Sequence, residues 1–288
     1  ENVTTRIRRF SFDGKPLGDL KLPGLGTVAG PIGRSDKKEA FFAFTSFTEP
    51  STIYRLDTAT GQSTLWFRTQ LPIDPAQFEA KQVWITSKDQ TRVPMFLVHK
   101  KGLKLDRQRP VFLTGYGGFL VSLQPTFSAV AAVWAQNDGV YAVPNLRGGG
   151  EFGEAWHQAG MFERKQNVFD DFTAAAEWLI ENGYTRAGKI AIEGVSNGGL
   201  LVGAALTQRP DLYGAVLCGF PLLDMVRYHK FLLGPLWIPE YGSAEDPKIF
   251  PAIKAYSPYH NVKPGTKYPA AMFISGDSDT RVAPLHAR

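Results

Sequence analysis

The chain is expected to fold as an α/β protein, a mainly parallel sheet with helices on both faces, preceded by the remnant of a β-propeller. Three observations predict this. The first 70 or so residues carry short strand-like runs broken by turns. From about residue 76, strand-like runs alternate with helical ones, the arrangement that makes a parallel sheet. Finally, Gly194-Val195-Ser196-Asn197-Gly198 lies between a strand-like run and a helix-like one. The expected division is residues 1–70 as the C-terminal part of an incomplete propeller and residues 71–288 as the α/β domain, truncated at its C-terminus.

The elements follow in order. Ala40 to Thr45 and Thr52 to Leu56 read as strands, with Asp57-Thr58-Ala59-Thr60-Gly61 as the turn after the second. Lys81 to Thr86 alternates like a half-exposed strand. Val93 to Val98 pairs with it through Ser87-Lys88-Asp89. Pro110 to Thr114 and Val140 to Val143 are apolar enough for buried strands. Phe169 to Ile180 repeats its apolar residues at helical spacing, with Gly183 placed to end the helix. Lys189 to Ile192 is a further buried strand, and a helix is expected from Leu200. Ala215 to Gly219 and Ala270 to Ile274 complete the sheet.

Composition narrows the function. The 288 residues are 43% hydrophobic and 12% aromatic, enough for a sizeable core. The net charge of +5 is scattered among acids apart from Arg6, Arg8 and Arg9, so no nucleic-acid stripe is formed. The single cysteine, Cys218, sits in an apolar run and is expected to be buried; alone it forms no internal disulfide. No apolar run has membrane-spanning length, and no signal peptide is visible. The sequence starts at Glu1 rather than Met and stops as Pro284-Leu285-His286-Ala287 enters a helix, so it is expected to be a piece of a longer protein. A cytoplasmic location is expected, with the periplasm as the alternative. No cofactor or metal is expected, and the protein is expected to be a monomer.

Gly-x-Ser-x-Gly between strand and helix fits the nucleophile elbow of α/β-hydrolases; a Gly-rich turn with a surface serine is the plainer alternative. The tight turn exposes the serine hydroxyl, and a Cβ at either glycine would collide with the backbone. Such a serine needs a base, usually a histidine oriented by a carboxylate. The chain order in this fold is serine, acid, histidine. Downstream carboxylates include Asp211, Asp224, Glu240, Asp246, Asp277 and Asp279. The last two follow the C-terminal end of a strand, where parallel sheets place function. Either fits as the acid, and simple turn formation is the alternative. Of the five histidines, only His286 follows the acid. It starts a helix and is expected at the surface or between domains. His99 at a strand end, His157 in a loop, and His229 and His260 in connecting segments are expected to be structural. The base is therefore expected to lie outside the sequence. The Asn197 amide fits one oxyanion donor, and Gly115-Tyr116-Gly117-Gly118-Phe119 is the loop for a second, unless its glycines serve only a tight turn. Arg147-Gly148-Gly149-Gly150-Glu151-Phe152-Gly153 lacks the ending of a phosphate loop and reads as a strand-end turn near the site.

Four motifs together resemble the prolyl oligopeptidase family: Gly115 to Phe119, Asn145 to Glu151, Gly194 to Gly199, and Asp279-Thr280-Arg281-Val282. The resemblance runs over nearly the whole chain. It implies a seven-bladed propeller capping an α/β-hydrolase domain, and cleavage of short peptides on the carboxyl side of proline. It implies Ser196 as nucleophile, Asp279 as acid, and Asn197 and Tyr116 as oxyanion donors through an amide and a phenol. It further implies that Trp237 stacks on the substrate proline, that Phe119, Tyr241 and Val282 line the same pocket, and that Arg281 bonds a substrate carbonyl. An indole face suits an apolar pyrrolidine ring; core packing is the plainer role for Trp237. The family's histidine lies a few tens of residues past the acid, beyond this sequence, so the fragment alone is expected to be inactive.

The expected function is thus a serine endopeptidase acting on short proline-containing peptides through an acyl-enzyme. One alternative is a related oligopeptidase cutting after basic residues, which would need acids where Trp237, Phe119 and Val282 stand. Another is a non-catalytic peptide-binding protein of the same fold, which would bind proline peptides without turnover.

Overall fold

The computed structural model describes residues 1–288. By packing, the chain forms two compact units. One comprises Glu1–Lys81, Val98–Gly102 and Gln124–Asn137; the other comprises Gln82–Leu97, Leu103–Leu123 and Asp138–Arg288.

The first unit opens with strands β1 (Arg8–Phe10) and β2 (Pro16–Asp19), an antiparallel pair. Then β3 (Thr27–Gly33), β4 (Glu39–Thr45), β5 (Thr52–Asp57) and β6 (Ser63–Arg68) form a four-stranded antiparallel sheet in chain order. In β4 alternate residues are buried, the two-residue period of a strand with one face on a core. That core holds Leu20, Ala40, Phe42, Phe44 and Leu56. The turn after β5 is set by Asp57, whose carboxylate accepts the N–H groups of Ala59 and Thr60, each at 2.9 Å. Gly61 then takes a φ of 78°, which a side chain would disfavour.

The remaining elements are β7 (Phe78–Thr86), β8 (Arg92–Lys100), β9 (Val111–Thr114), α1 (Ala129–Gln136), β10 (Val140–Pro144), α2 (Glu154–Gln158), α3 (Gln166–Glu181), β11 (Ile190–Val195), α4 (Asn197–Gln208), β12 (Tyr213–Gly219), α5 (Ile238–Tyr241), α6 (Phe250–Tyr256) and β13 (Ala270–Ile274). Seven strands make one sheet in the order β13-β12-β11-β9-β10-β8-β7. Its pairs from β13 through β10 are parallel. The order jumps from β11 to β9, so the chain reverses its winding there, and loops on either side of such a point diverge to leave a crevice. Helix α4 packs on β11 and β12, and α3 on β10 and α4. Val111, Leu113, Ile190, Ile192, Phe172 and Leu201 are fully buried between them.

Three expectations are refined. The helix after the elbow begins at Asn197 rather than Leu200, because the chain enters helical geometry immediately after Ser196. His157 lies on α2, not in a loop. Strand β13, at the sheet's edge, is exposed along its whole length instead of covered on both faces. Cys218 is fully buried; its thiol donates to the Gly199 carbonyl, and burial pushes it up to about 12. No helix is long and apolar enough to cross a membrane.

Candidate active site

The C-terminal ends of the parallel strands carry the chemistry-bearing residues. Tyr116 follows β9, Ser196 follows β11 and Asp279 follows β13. Ser196 takes φ 60° and ψ −119°, left-handed backbone for a residue with a side chain. Its N–H donates to the Gly219 carbonyl at 2.9 Å, and its own carbonyl accepts from Leu200 at 3.1 Å. A Cβ on Gly194 would lie 2.0 Å from the Gly198 carbonyl oxygen, and one on Gly198 would lie 2.8 Å from that of Gly115. Both flanking glycines are thus required by close backbone approach. As the first residue of α4, Asn197 has a backbone N–H with no acceptor inside its helix, at the positive end of the helix dipole.

Ser196 opens into a cavity of about 420 Å³. Tyr116, Phe119, Trp237, Tyr241 and Arg281 line it, along with Leu222 and Leu236. The phenol of Tyr116 and the hydroxyl-bearing Ser196 line the same cavity. Burial raises Tyr116 above the ordinary tyrosine range, which keeps its hydroxyl protonated and able to donate. Phe119 and Tyr241 meet edge to face, centroids 5.5 Å apart. Two residues of the cavity lining, Phe119 and Ser196, have left-handed φ values of 56° and 60°.

Of the sequence-derived pocket residues, Val282 departs. It is 7% exposed and packs in the hydrophobic core, whereas Arg281 beside it turns into the cavity. Asp279 is half-buried, and its Oδ1 accepts the N–H groups of Arg281 at 2.8 Å and Val282 at 3.0 Å. Asp277 is exposed and pairs with Arg288 at 2.6 Å, so only Asp279 is tied into the segment bearing Arg281. Other acids are committed elsewhere: Asp224 to Arg227 and Asp211 to Arg209.

No histidine lines the cavity. His286, expected at the surface or between domains, is 6% exposed. Its Nδ1 accepts from the N–H groups of Leu223 at 3.3 Å and Asp224 at 3.1 Å, which anchors it in the fold. Burial lowers it to about 4.

The structure adds residues that the sequence left unassigned. Asn197 is used twice: besides its backbone N–H, its side-chain Nδ2 donates to the Tyr116 carbonyl at 2.5 Å. Its Oδ1 accepts from the Tyr241 hydroxyl at 2.8 Å and from Lys165 Nζ at 3.2 Å. Glu240 is buried, its Oε1 accepting the Phe119 N–H at 2.8 Å and its Oε2 facing His157 Nε2 at 2.7 Å. Lys165 sits in Phe162-Glu163-Arg164-Lys165-Gln166, a charged stretch that reads as solvated surface. No local signal marks it as buried.

The loop after β10 supports the same region. Arg147 is buried and clamps Asp171 on α3 at 2.6 Å, while also bonding Asp89 and Ser87 at the turn between β7 and β8. Gly148 then presses on the Tyr116 loop; a Cβ there would sit 2.6 Å from the Gly117 carbonyl oxygen. These residues hold no phosphate-loop geometry; they buttress the Tyr116 loop.

Comparison with known proteins gives a consistent picture. The model of the prolyl oligopeptidase family matches residues 125–288. That of the prolyl oligopeptidase N-terminal beta-propeller domain matches residues 1–69. A prolyl endopeptidase of Elizabethkingia miricola is 46% identical over 288 residues, covering 100% of this chain and 41% of that protein. Among solved structures, a prolyl endopeptidase studied for inter-domain dynamics superposes with a TM-score of 0.92 at 52% identity, over 99% of this chain and 42% of the other. Prolyl oligopeptidase B from Galerina marginata, in its apo form, gives 0.92 at 38% identity over 100% of this chain and 42% of its own. The chain therefore spans about two fifths of the length of the relatives it matches.

Proposed function

Because the chain belongs to the prolyl oligopeptidase family, we propose that the full-length protein is a serine endopeptidase cleaving short peptides after proline. The observation that carries this reading is the sharing of one cavity by Ser196, Tyr116 and Trp237. It brings a strained serine, a protonated phenol and an indole face to the same substrate.

In this reading Ser196 Oγ attacks the carbonyl carbon of a proline residue. A histidine from the part of the protein outside this sequence takes the hydroxyl proton, and Asp279 stabilises the imidazolium that forms. The negative charge on the carbonyl oxygen is met by the Tyr116 hydroxyl and the Asn197 N–H, both set before the reaction begins. The histidine returns its proton to the leaving amine, and water then releases the acyl-enzyme by the same steps. Trp237 stacks on the proline ring, with Phe119 and Tyr241 beside it, and Arg281 holds a substrate carbonyl. Residues 1–70 belong to the propeller and 71–288 to the catalytic domain. The protein is a monomer in the cytoplasm, with the periplasm as the alternative; gel filtration and cell fractionation test both.

The deciding experiment uses the full-length protein with matched Pro and Arg reporter peptides. Ser196→Ala should cut turnover of the Pro reporter by about 10⁴-fold or more. Retained turnover would remove Ser196 from its role. Preference for Arg would favour the basic-residue oligopeptidase, and proline-peptide binding without wild-type turnover would favour the non-catalytic reading.

A further inference from the structure

Lys165 is 1% exposed, yet lysine is among the residues least often buried. Its ammonium reaches two acceptors, the Gly117 carbonyl at 2.8 Å and Asn197 Oδ1 at 3.2 Å. It also lies 5.4 Å from the centre of the Tyr241 ring, where the π face favours a cation. Burial lowers it to about 8, partly offset by the negative charge of Glu240, so it remains mainly protonated at neutral pH.

The two acceptors have separate roles in the site. Gly117 follows Tyr116, the phenol donor; Asn197 carries the amide donor on the helix behind the nucleophile. Three side chains thus hold three successive points of one short loop. Asn197 takes the Tyr116 carbonyl, Lys165 the Gly117 carbonyl, and Glu240 the Phe119 N–H. The loop is also pressed close: a Cβ on Gly118 would lie 2.7 Å from Asn197 Nδ2. Only Lys165 bonds the loop and the Asn197 side chain with a single charged group.

We propose that Lys165 is a positioning residue for the reaction: by tying the Gly117 carbonyl to Asn197 it sets where the Tyr116 hydroxyl sits beside Ser196. The inference rests on the peptidase reading above. Lys165 touches neither substrate nor the reacting atoms; it acts through Tyr116. Oxyanion donors act by being in place before charge develops, and a loop free to shift by a fraction of an ångström forfeits part of that effect.

The test uses the full-length protein with Lys165→Met, which keeps the chain's bulk, and Lys165→Gln, which keeps a shorter amide donor. Active sites are titrated so that only folded enzyme is counted, and each variant is made alone and with Tyr116→Phe. The expected result is a fall in kcat of about 10- to 100-fold with KM changed less than about threefold. Affinity for a proline aldehyde, which forms a tetrahedral adduct, should fall in parallel with kcat/KM. In the Tyr116→Phe background the same Lys165 substitution should cost less than about threefold, since the donor it positions is gone. Full kcat per active site in either folded variant, or an undiminished loss in the Tyr116→Phe background, would overturn the proposal. Failure of the peptidase reading shows separately, as absence of turnover in the wild type, and takes this inference with it.

Discussion

Glu240 accepts the backbone N–H of Phe119 through Oε1 at 2.8 Å, across 121 residues of sequence. Its other oxygen meets His157 at 2.7 Å, so one buried carboxylate joins the loop of Tyr116 and Phe119, α5 and α2. Phe119 has φ 56°, and this bond helps to hold it in that conformation. Glu240→Ala leaves a buried N–H without an acceptor and should cost about 1–3 kcal/mol of stability. Glu240→Gln, whose amide oxygen can still accept, should lose less. Denaturant unfolding of both variants checks the order; equal losses would mean that the Phe119 bond is not what matters.

The elbow tolerates no side chain at Gly194, where a Cβ would lie 2.0 Å from the Gly198 carbonyl oxygen. Since the obstacle is backbone, no rotamer change relieves it. Gly194→Ala should therefore destabilise by about 1–3 kcal/mol and displace Ser196. Turnover in the full-length protein should fall at least tenfold. Gly14→Ala is a fitting control, since nothing lies within 4 Å of its Cβ, although its φ of 83° adds some strain of its own. Its turnover should be unchanged.

Arg147 and Asp171 form a buried ion pair at 2.6 Å. Asp171 also accepts the Arg147 backbone N–H at 3.1 Å. Arg147→Met strands the Asp171 carboxylate and should cost about 3–5 kcal/mol. Adding Asp171→Asn removes the stranded charge while its amide oxygen can still accept that N–H. The double variant should recover at least half of the loss in thermal or denaturant unfolding. No recovery would show that the pair's charge is not the source of the penalty.

His286 gives stability an acid dependence. Burial lowers it from an ordinary 6.5 to about 4, so the unfolded chain takes up its proton first as pH falls. The contribution of the neutral, accepting imidazole is complete above pH 6.5 and is lost progressively down to about pH 4. The difference corresponds to about 3 kcal/mol. Unfolding free energies at pH 7 and pH 4.5 should converge by a large part of this in His286→Asn, which does not titrate. An unchanged acid slope would assign the dependence to other groups.

Much of the site was legible in the sequence because its features are local. Gly-x-Ser-x-Gly carries much of its own turn: Gly194 is needed by its approach to Gly198 within the motif, although Gly198 is needed by the distant Gly115 carbonyl, and the apolar run before it and the helix after it are periodic patterns. Asp279 was narrowed by its place after β13, and Tyr116 and Trp237 came from the resemblance. The buried state of Lys165 and Glu240 was not legible. Neither neighbouring composition nor period separates a charged residue facing solvent from one turned inward; the partners are 32 to 121 residues away. The burial of His286, expected at the surface or between domains, was not legible for the same reason, since its anchors, Leu223 and Asp224, lie more than 60 residues earlier. Val282 adjoins Arg281, yet one enters the core and the other the cavity, a choice made by packing.

The sequence by itself determined the strand–elbow–helix unit, the alternation behind the parallel sheet, the strand-rich first 70 residues and the identity of the candidate nucleophile. These follow from short-range sterics and from the periods of the strand and the helix. Only the tertiary structure decided which polar side chains hold the site together. Whether a charge is buried depends on finding a partner, and the partners of Lys165, Glu240 and Arg147 lie on loops and helices that meet only once the sheet has formed.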